Sequence, residues 1–321
     1  MVEHLIRRTA YALFIVWASV SCVFFLMYAV GDPAAATLGE RASAEQLANF
    51  RAQHGLDRPV LSQYLTYIGV RPCHVRPGYC GLAQGHLGDS LRLDATIASV
   101  FAERIPRTAL LGAMATLIEI IIGVGLGLWA GATRRRWVDS SLLTFAYLGI
   151  SIPTFVAGLI ALDQLAFRMG LFPVGGYGET PLDHLKHALL PSLVLGLLGS
   201  ATYLRLVRSE TRDLLADEFS RMLRSLGVSR RRLTLRYLPR LAILPVITLL
   251  GLHLPALVGG AVITETIFGW PGLGRLAVEA IYNLDAPLVL AVVLVASMAV
   301  QAGNLLADMA LHLLDPRVAR T

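Results

Sequence analysis

The chain has 321 residues, of which 55% are hydrophobic and 16% charged, with a mean hydropathy of +0.61 and a formal net charge of +6 at pH 7. Soluble domains carry about 25% charged residues, so this composition excludes an ordinary soluble domain and points to a chain that crosses a membrane several times. The basic residues flank apolar runs, which argues against nucleic acid as a partner. The single lysine, Lys186, sits in His184-Leu185-Lys186-His187 and not in a Gly-Lys-Ser/Thr loop, so the chain is not expected to bind ATP through such a loop.

Arg7 and Arg8 precede an uncharged run from Thr9 to Val30. That run is longer than a secretory core of about 7–15 residues and lacks a small-residue cleavage site, so it reads as a retained membrane helix. Cys22 lies within it and reads as a packing residue. Further apolar segments long enough to span follow at 108–133, 138–165, 188–207, 241–263 and 287–311. The expectation is therefore an all-α polytopic membrane protein with six transmembrane helices. Placing both termini in the cytoplasm puts Arg7, Arg8, Arg134 to Arg136, the arginines of 205–240, Arg317 and Arg320 on the cytoplasmic side, where Lys/Arg-rich loops are retained. The organisation reads as a first helix (1–30), an extracytoplasmic loop subdomain (31–107), a five-helix core (108–311) and a cytoplasmic tail (312–321).

In the outer loop, Ser43 is placed to cap a helix through Arg51, and Val60 to Ile68 forms a second amphipathic piece. Cys73 and Cys80 flank Pro77-Gly78, which favours a tight turn; a local disulfide is the leading reading and two free thiols the alternative. Metal ligation by Cys73, His74 and Cys80 lacks a fourth ligand, so no metal site is assigned.

Ionisable residues inside spans are costly and mark functional candidates. Glu119 lies near the middle of 108–133 among Thr116, Gly123, Gly125 and Gly127, which suggests close helix contact. It either bonds between helices or lines a pathway. His253, with Gly251, Pro255, Gly259 and Gly260 around it, is either a bonded core residue or a group facing a ligand. Glu265, Phe268, Trp270 and Pro271 sit just beyond that span, where an outer gate or a contact with an external protein would be. No Gly-x-Ser-x-Gly elbow and no His-Glu-x-x-His motif is present, and His184 with His187 alone does not make a metal site, so no enzyme is read in this chain.

The stretch from Arg205 to Arg240 holds ten arginines and four acids. Leu214, Leu215, Phe219, Met222, Leu223 and Leu226 recur at helical spacing, predicting an amphipathic helix over 214–232. Gly227 is suited to a left-handed turn that ends a helix, and Pro239 and Pro245 bracket the return to the membrane. Either a cytoplasmic partner docks here or the loop is solvated and only sets topology.

Several motifs run nearly end to end: Arg7-Arg8, Gly31-Asp32-Pro33, Gly55-Leu56-Asp57-Arg58-Pro59, Gly85-His86-Leu87-Gly88-Asp89-Ser90, Ile150-Ser151-Ile152-Pro153-Thr154-Phe155, the run from Glu265 to Gly274, and Leu314-Asp315-Pro316-Arg317. Together they resemble the permease subunits of bacterial ABC importers for dipeptides, oligopeptides and nickel. The resemblance implies half of a translocation pathway in the bacterial inner membrane, for di- or oligopeptides, with nickel or a metal chelate as the alternative. It implies as partners a second related permease, two ATP-binding subunits that hold ATP and Mg, and an extracytoplasmic substrate-binding protein. No cofactor is implied for this chain itself, which is surrounded by membrane lipids. It also implies a coupling helix with Asp217, Phe219, Arg221, Leu223, Arg224, Gly227 and Arg231 facing the ATPase. The general Glu-Ala-Ala-x-x-x-Gly signature is replaced here by Arg221-Met222-Leu223 ahead of Gly227. From another class, a self-sufficient secondary transporter or channel would call for inverted repeats and paired intramembrane charges, and no convincing repeat is found.

Overall fold

A computed structural model describes residues 2–39, 42–72 and 81–314; the side chains of some helical residues, 241–244 and 252–260 among them, lie outside the description. Among the described residues the chain is almost wholly helical, and Asp89 and Thr96 form an isolated β-bridge. Cys73, Cys80 and Asp315-Pro316-Arg317 lie outside the described residues.

The first apolar run is α1 (Val2–Val30). Short helices follow: α2 (Pro33–Leu38), α3 (Ala44–His54) and α4 (Val60–Tyr67). Ser43 caps α3 in a reciprocal box with Gln46, and Glu45 sits in the first turn, where the helix dipole favours an acid. Next come α5 (Ile97–Ala132), α6 (Arg136–Ser151) and α7 (Thr154–Ala161), the last running into a π-helical stretch, Leu162–Arg168. The remaining elements are α8 (Pro181–Ala216), α9 (Glu218–Ser225), α10 (Arg230–Arg232), a π-helical turn Leu233–Tyr237, α11 (Leu238–Ile267), α12 (Leu273–Tyr282) and α13 (Ala286–Leu314).

By length and composition, four helices among the described residues can cross a membrane: Ile6–Ala29, Ile97–Ala132, Pro181–Ala216 and Ala286–Met309. The segment read as one span over 138–165 is instead two helices, α6 and α7, bent by 100°. Pro153 is the cause. Its ring disfavours helical geometry at the preceding residue, and Ile152 is extended at φ −83, ψ 120. Counting the bent pair as one span gives five. α11 is 30 residues long, more than the roughly 20 that a span needs. Both α5 and α8 outrun the spans read at 108–133 and 188–207, because charged residues continue a helix past its apolar core. Thr180 and Pro181 start α8 with a side-chain cap and a proline in the first turn.

The chain divides into two compact units. One comprises residues 2–106 with 275–301. In it Phe24 of α1, Tyr64 of α4 and Leu290 of α13 share a core, with Tyr28 and Tyr67 packed on its edge. Burial pushes the Tyr67 phenol well above its ordinary value. The buried Asp285 caps α13 by accepting from Leu288 N, and it also accepts from Ser90 Oγ and from Leu91 N. That gives Gly88-Asp89-Ser90 a physical role in holding the start of α13.

The other unit comprises residues 107–274 with 302 onward. Its central seam joins α5 to α8. A Cβ on Gly123 would lie 2.7 Å from Ser200 O, one on Gly127 3.0 Å from Leu204 O, and one on Gly131 2.8 Å from Arg208 O, so small residues every four positions let the backbones meet. Across α6 and α8, Asp139 accepts from Arg208 Nε at 2.5 Å, Arg208 Nη2 at 2.8 Å and Arg212 Nη2 at 2.7 Å.

Candidate functional site

Two places in the larger unit concentrate polar chemistry. The first is the segment that follows α8. The helix expected over 214–232 is three pieces. Asp217 is extended, at ψ 155, which ends α8; its carboxylate then accepts from Phe219 N at 3.3 Å and starts α9. At the far end Gly227 takes φ +83. Gly227 N donates to Arg224 O and Val228 N to Leu223 O, both at 3.0 Å, closing α9 with paired bonds and a left-handed residue. Ser229 caps α10 in turn.

α9 is fixed to the end of α8 from one side. The buried Ser220 donates from Oγ to Leu214 O, and Arg224 donates from Nη2 to Leu215 O at 3.1 Å, so these groups occupy carbonyls that the helix end leaves without intrahelical partners. The opposite side is open. Phe219, Met222 and Leu226 recur at i, i+3 and i+7 and are 42, 51 and 71% exposed. Asp217, Arg221 and Arg231 are also exposed, and Leu223 is half-buried. This is a short, doubly capped helix that presents an apolar stripe among arginines.

The second place is the junction of α5, α11 and α12. The buried Glu265 accepts from Thr108 Oγ1 at 2.7 Å, and Thr108 Oγ1 accepts from Leu273 N at 2.7 Å. Trp270 is fully enclosed by Leu111, Ala115, Ala188 and Leu195, and its indole N–H donates to Arg107 O at 3.1 Å. Tyr177 lies edge-on to Trp270, stacks on His184 and carries the Arg107 guanidinium over its ring at 4.4 Å. A Cβ on Gly272 would strike the Glu265 carboxylate, and one on Gly274 would lie 2.6 Å from Val262 Cα. The glycines of the Glu265 to Gly274 run are thus there for close approach.

With this geometry in view, the comparisons decide the family. Residues 123–320 match the binding-protein-dependent transport system inner membrane component, and residues 1–112 match the N-terminal region of such membrane components. The chain belongs to this family. The permease is 30% identical to the oligopeptide transport system permease protein AppB of Bacillus subtilis, over 99% of each chain. It is 32% identical to the glutathione transport system permease protein GsiC of Escherichia coli K12, again over 99% of each. Its fold is similar to a chain of the MetNI methionine ABC transporter in an inward-facing conformation, with a TM-score of 0.52 at 16% identity, covering 68% of this chain and 98% of that one.

The structure distributes the permease's remaining candidate residues as follows. Glu119 is buried in α5, and a Cβ on Gly199 of α8 would strike its carboxylate, so it sits in the tightest part of the seam. His253, Gly259 and Gly260 belong to α11, but their side chains lie outside the description. Glu265, Phe268 and Trp270 are buried and Pro271 is half-buried. Their polar atoms are engaged within the permease, which makes them an internal joint. Among the described residues, no group of three or more His, Cys, Asp or Glu is arranged to hold a metal. Thr108, Asp139 and Asp285 were not singled out by sequence. Asp285 alone left a local signal, an acid ahead of Ala286-Pro287 at a helix start.

Proposed function

We propose that this permease forms half of the translocation pathway of an importer for di- or oligopeptides in the bacterial inner membrane, with six spans and both termini in the cytoplasm. A second related permease, two ATP-binding subunits and an extracytoplasmic substrate-binding protein complete the machine. The observation that carries the coupling assignment is α9. An exposed stripe of Phe219, Met222 and Leu226 on a helix fastened at both ends and to α8 is suited to fill a partner's groove. Asp217, Arg221, Leu223, Gly227 and Arg231 shape or flank that face, and Arg224 anchors α9 to α8 from the opposite side. Full-length similarity to an oligopeptide and a glutathione permease supports peptides as cargo.

ATP closes the ATPase pair because nucleotide binds the closed pair more tightly than the open one. Motion of the ATPase displaces α9, and α8 transmits it to the seam containing Glu119 and to α11, which carries His253, Gly259 and Gly260. The joint of Glu265, Phe268, Trp270 and Pro271 serves as the outer gate. Co-expression with the ATP-binding subunits, the second permease and the binding protein tests this. ATP hydrolysis by the purified assembly should rise when the binding protein carries a dipeptide. Transport by this chain alone, without nucleotide, would overturn the reading.

A further inference from the structure

At the end of α5, three arginines from three segments converge. Arg230 of α10 donates from Nη2 to Ala132 O at 2.7 Å, which fixes its guanidinium over the last turn of α5 and beside Arg134, two residues further on. Arg224 of α9 lies close enough to act on the same guanidinium. It lies two residues after Met222 and five after Phe219, about opposite the exposed apolar stripe, and its head group is held by Ser220 O and Leu215 O. Burial first, then the fields of Arg134 and Arg224, pull Arg230 below the usual guanidinium value. Among the described residues, none of these three arginines forms an ion pair with a carboxylate. Elsewhere the chain does pair its arginines: Arg208 and Arg212 share Asp139, and Arg168 has Asp163.

The cluster also has a defined surrounding. Arg134, Arg135 and Arg136 are exposed and follow directly on the membrane-length helix α5. Trp129 before them and Trp137 after them are 56 and 67% exposed. Exposed tryptophans next to arginines mark the level where hydrocarbon gives way to headgroups. A guanidinium matches a phosphate with paired hydrogen bonds, and basic pockets between spans at this level suit anionic headgroups. We propose that Arg134, Arg224 and Arg230 form a binding site for the phosphate of an anionic phospholipid headgroup, with Trp129 and Trp137 beside its acyl chains. The phosphate of the bound lipid offsets part of the repulsion among the three like charges and ties the loop before α11 to the end of α5. This occupant is separate from the ATPase, which the apolar stripe on the other face of α9 would meet.

The test is native mass spectrometry of the full-length chain in mild detergent, titrated with dioleoylphosphatidylglycerol or dioleoylphosphatidylcholine. The unaltered chain should retain the anionic lipid preferentially. Arg134→Gln should weaken that retention about five-fold, and the Arg134→Gln/Arg224→Gln pair by about twenty-five-fold, at roughly 1 kcal/mol per arginine near a charged lipid surface. Arg134 projects into solvent and Arg134→Lys keeps the charge, so retention by the lysine variant distinguishes a lost site from a misfolded chain. Equal retention of the two lipids, or variants that hold phosphatidylglycerol as the unaltered chain does, would overturn the proposal. Displacement of the lipid by inorganic phosphate would assign the cluster to free anions instead. Variants that keep the lipid but, when co-expressed with the ATP-binding subunit, no longer co-purify with it would assign the cluster to a protein contact.

Discussion

Thr108 Oγ1 donates to the buried Glu265 carboxylate and accepts the backbone N–H of Leu273, each at 2.7 Å. One hydroxyl therefore ties α5 to both the end of α11 and the start of α12. Replacing it with an isosteric methyl removes both bonds and leaves polar groups buried, which costs about 1–3 kcal/mol. Thr108→Val should lower the thermal midpoint of the purified chain, and Thr108→Ser should stay close to the unaltered protein. Equal melting of all three would show that the joint does not depend on this hydroxyl.

Gly227 holds φ +83, and a Cβ built there meets no atom within 4 Å. Any penalty for substitution therefore comes from the backbone and not from a clash. A left-handed conformation costs an L-residue about 1–2 kcal/mol, least for asparagine. Gly227→Val should shift the closing bonds of α9 while the chain still folds and inserts. In the assembled importer, ATP hydrolysis should persist while peptide uptake falls; Gly227→Asn should lie between. Normal uptake by the valine variant would remove α9 from the coupling pathway.

The features legible in the sequence are those fixed within a few residues. The Ser43 cap, the helix over Val60–Tyr67 and the left-handed Gly227 depend on neighbours inside one turn, so residue type alone identifies them. The single helix read over 214–232 fails for a local reason as well: Asp217 competes for the backbone, and an apolar period does not register that competition. Ile152-Pro153 carried the signal for the 100° bend, but hydropathy ran through it. The buried networks are different. Ser90 and Asp285 are 195 positions apart, Thr108 and Glu265 157, and Asp139 and Arg208 69, so only tertiary packing selects those partners. Glu265 and Trp270 are read from sequence as lying just beyond a span, at an outer gate or an external contact, because position along the chain carries no information about what packs over them. Here Thr108, Gly272 and the α8 core enclose them.

Gly125 and Gly127 separate helix propensity from packing. A Cβ on Gly125 meets nothing within 4 Å, whereas one on Gly127 lies 2.8 Å from Val207 Cβ and 3.0 Å from Leu204 O. Gly125→Ala should be neutral or stabilising by up to about 1 kcal/mol, through the lower backbone entropy of alanine. Gly127→Ala must push α8 away and should cost about 1–3 kcal/mol. Thermal melting of the two variants in one detergent reads the difference directly. If both shift alike, the α5–α8 seam is looser than its backbone spacing implies.

Asp32 caps α2 by accepting from Ala34 N at 3.0 Å, and it also accepts from Arg51 Nε of α3 at 3.1 Å. The hydrogen bond from Arg51 outweighs the opposing effect of burial and holds the Asp32 carboxyl below the usual carboxylate range. A depressed folded value means that the stabilisation is present above the unfolded pKa, about 3.9, and is lost as pH falls through the folded one. Both side chains are at least a third exposed, so the contribution should be below about 1 kcal/mol and should shrink with salt. Asparagine also caps helices well, so Asp32→Asn removes the charge while keeping the cap. The variant should be less stable than the unaltered chain at neutral pH, and the gap should close in acid below the folded value. Chemical unfolding at both pH values, with and without added salt, measures it; a gap that persists in acid would mean that the Asp32 charge is not what joins α2 to α3.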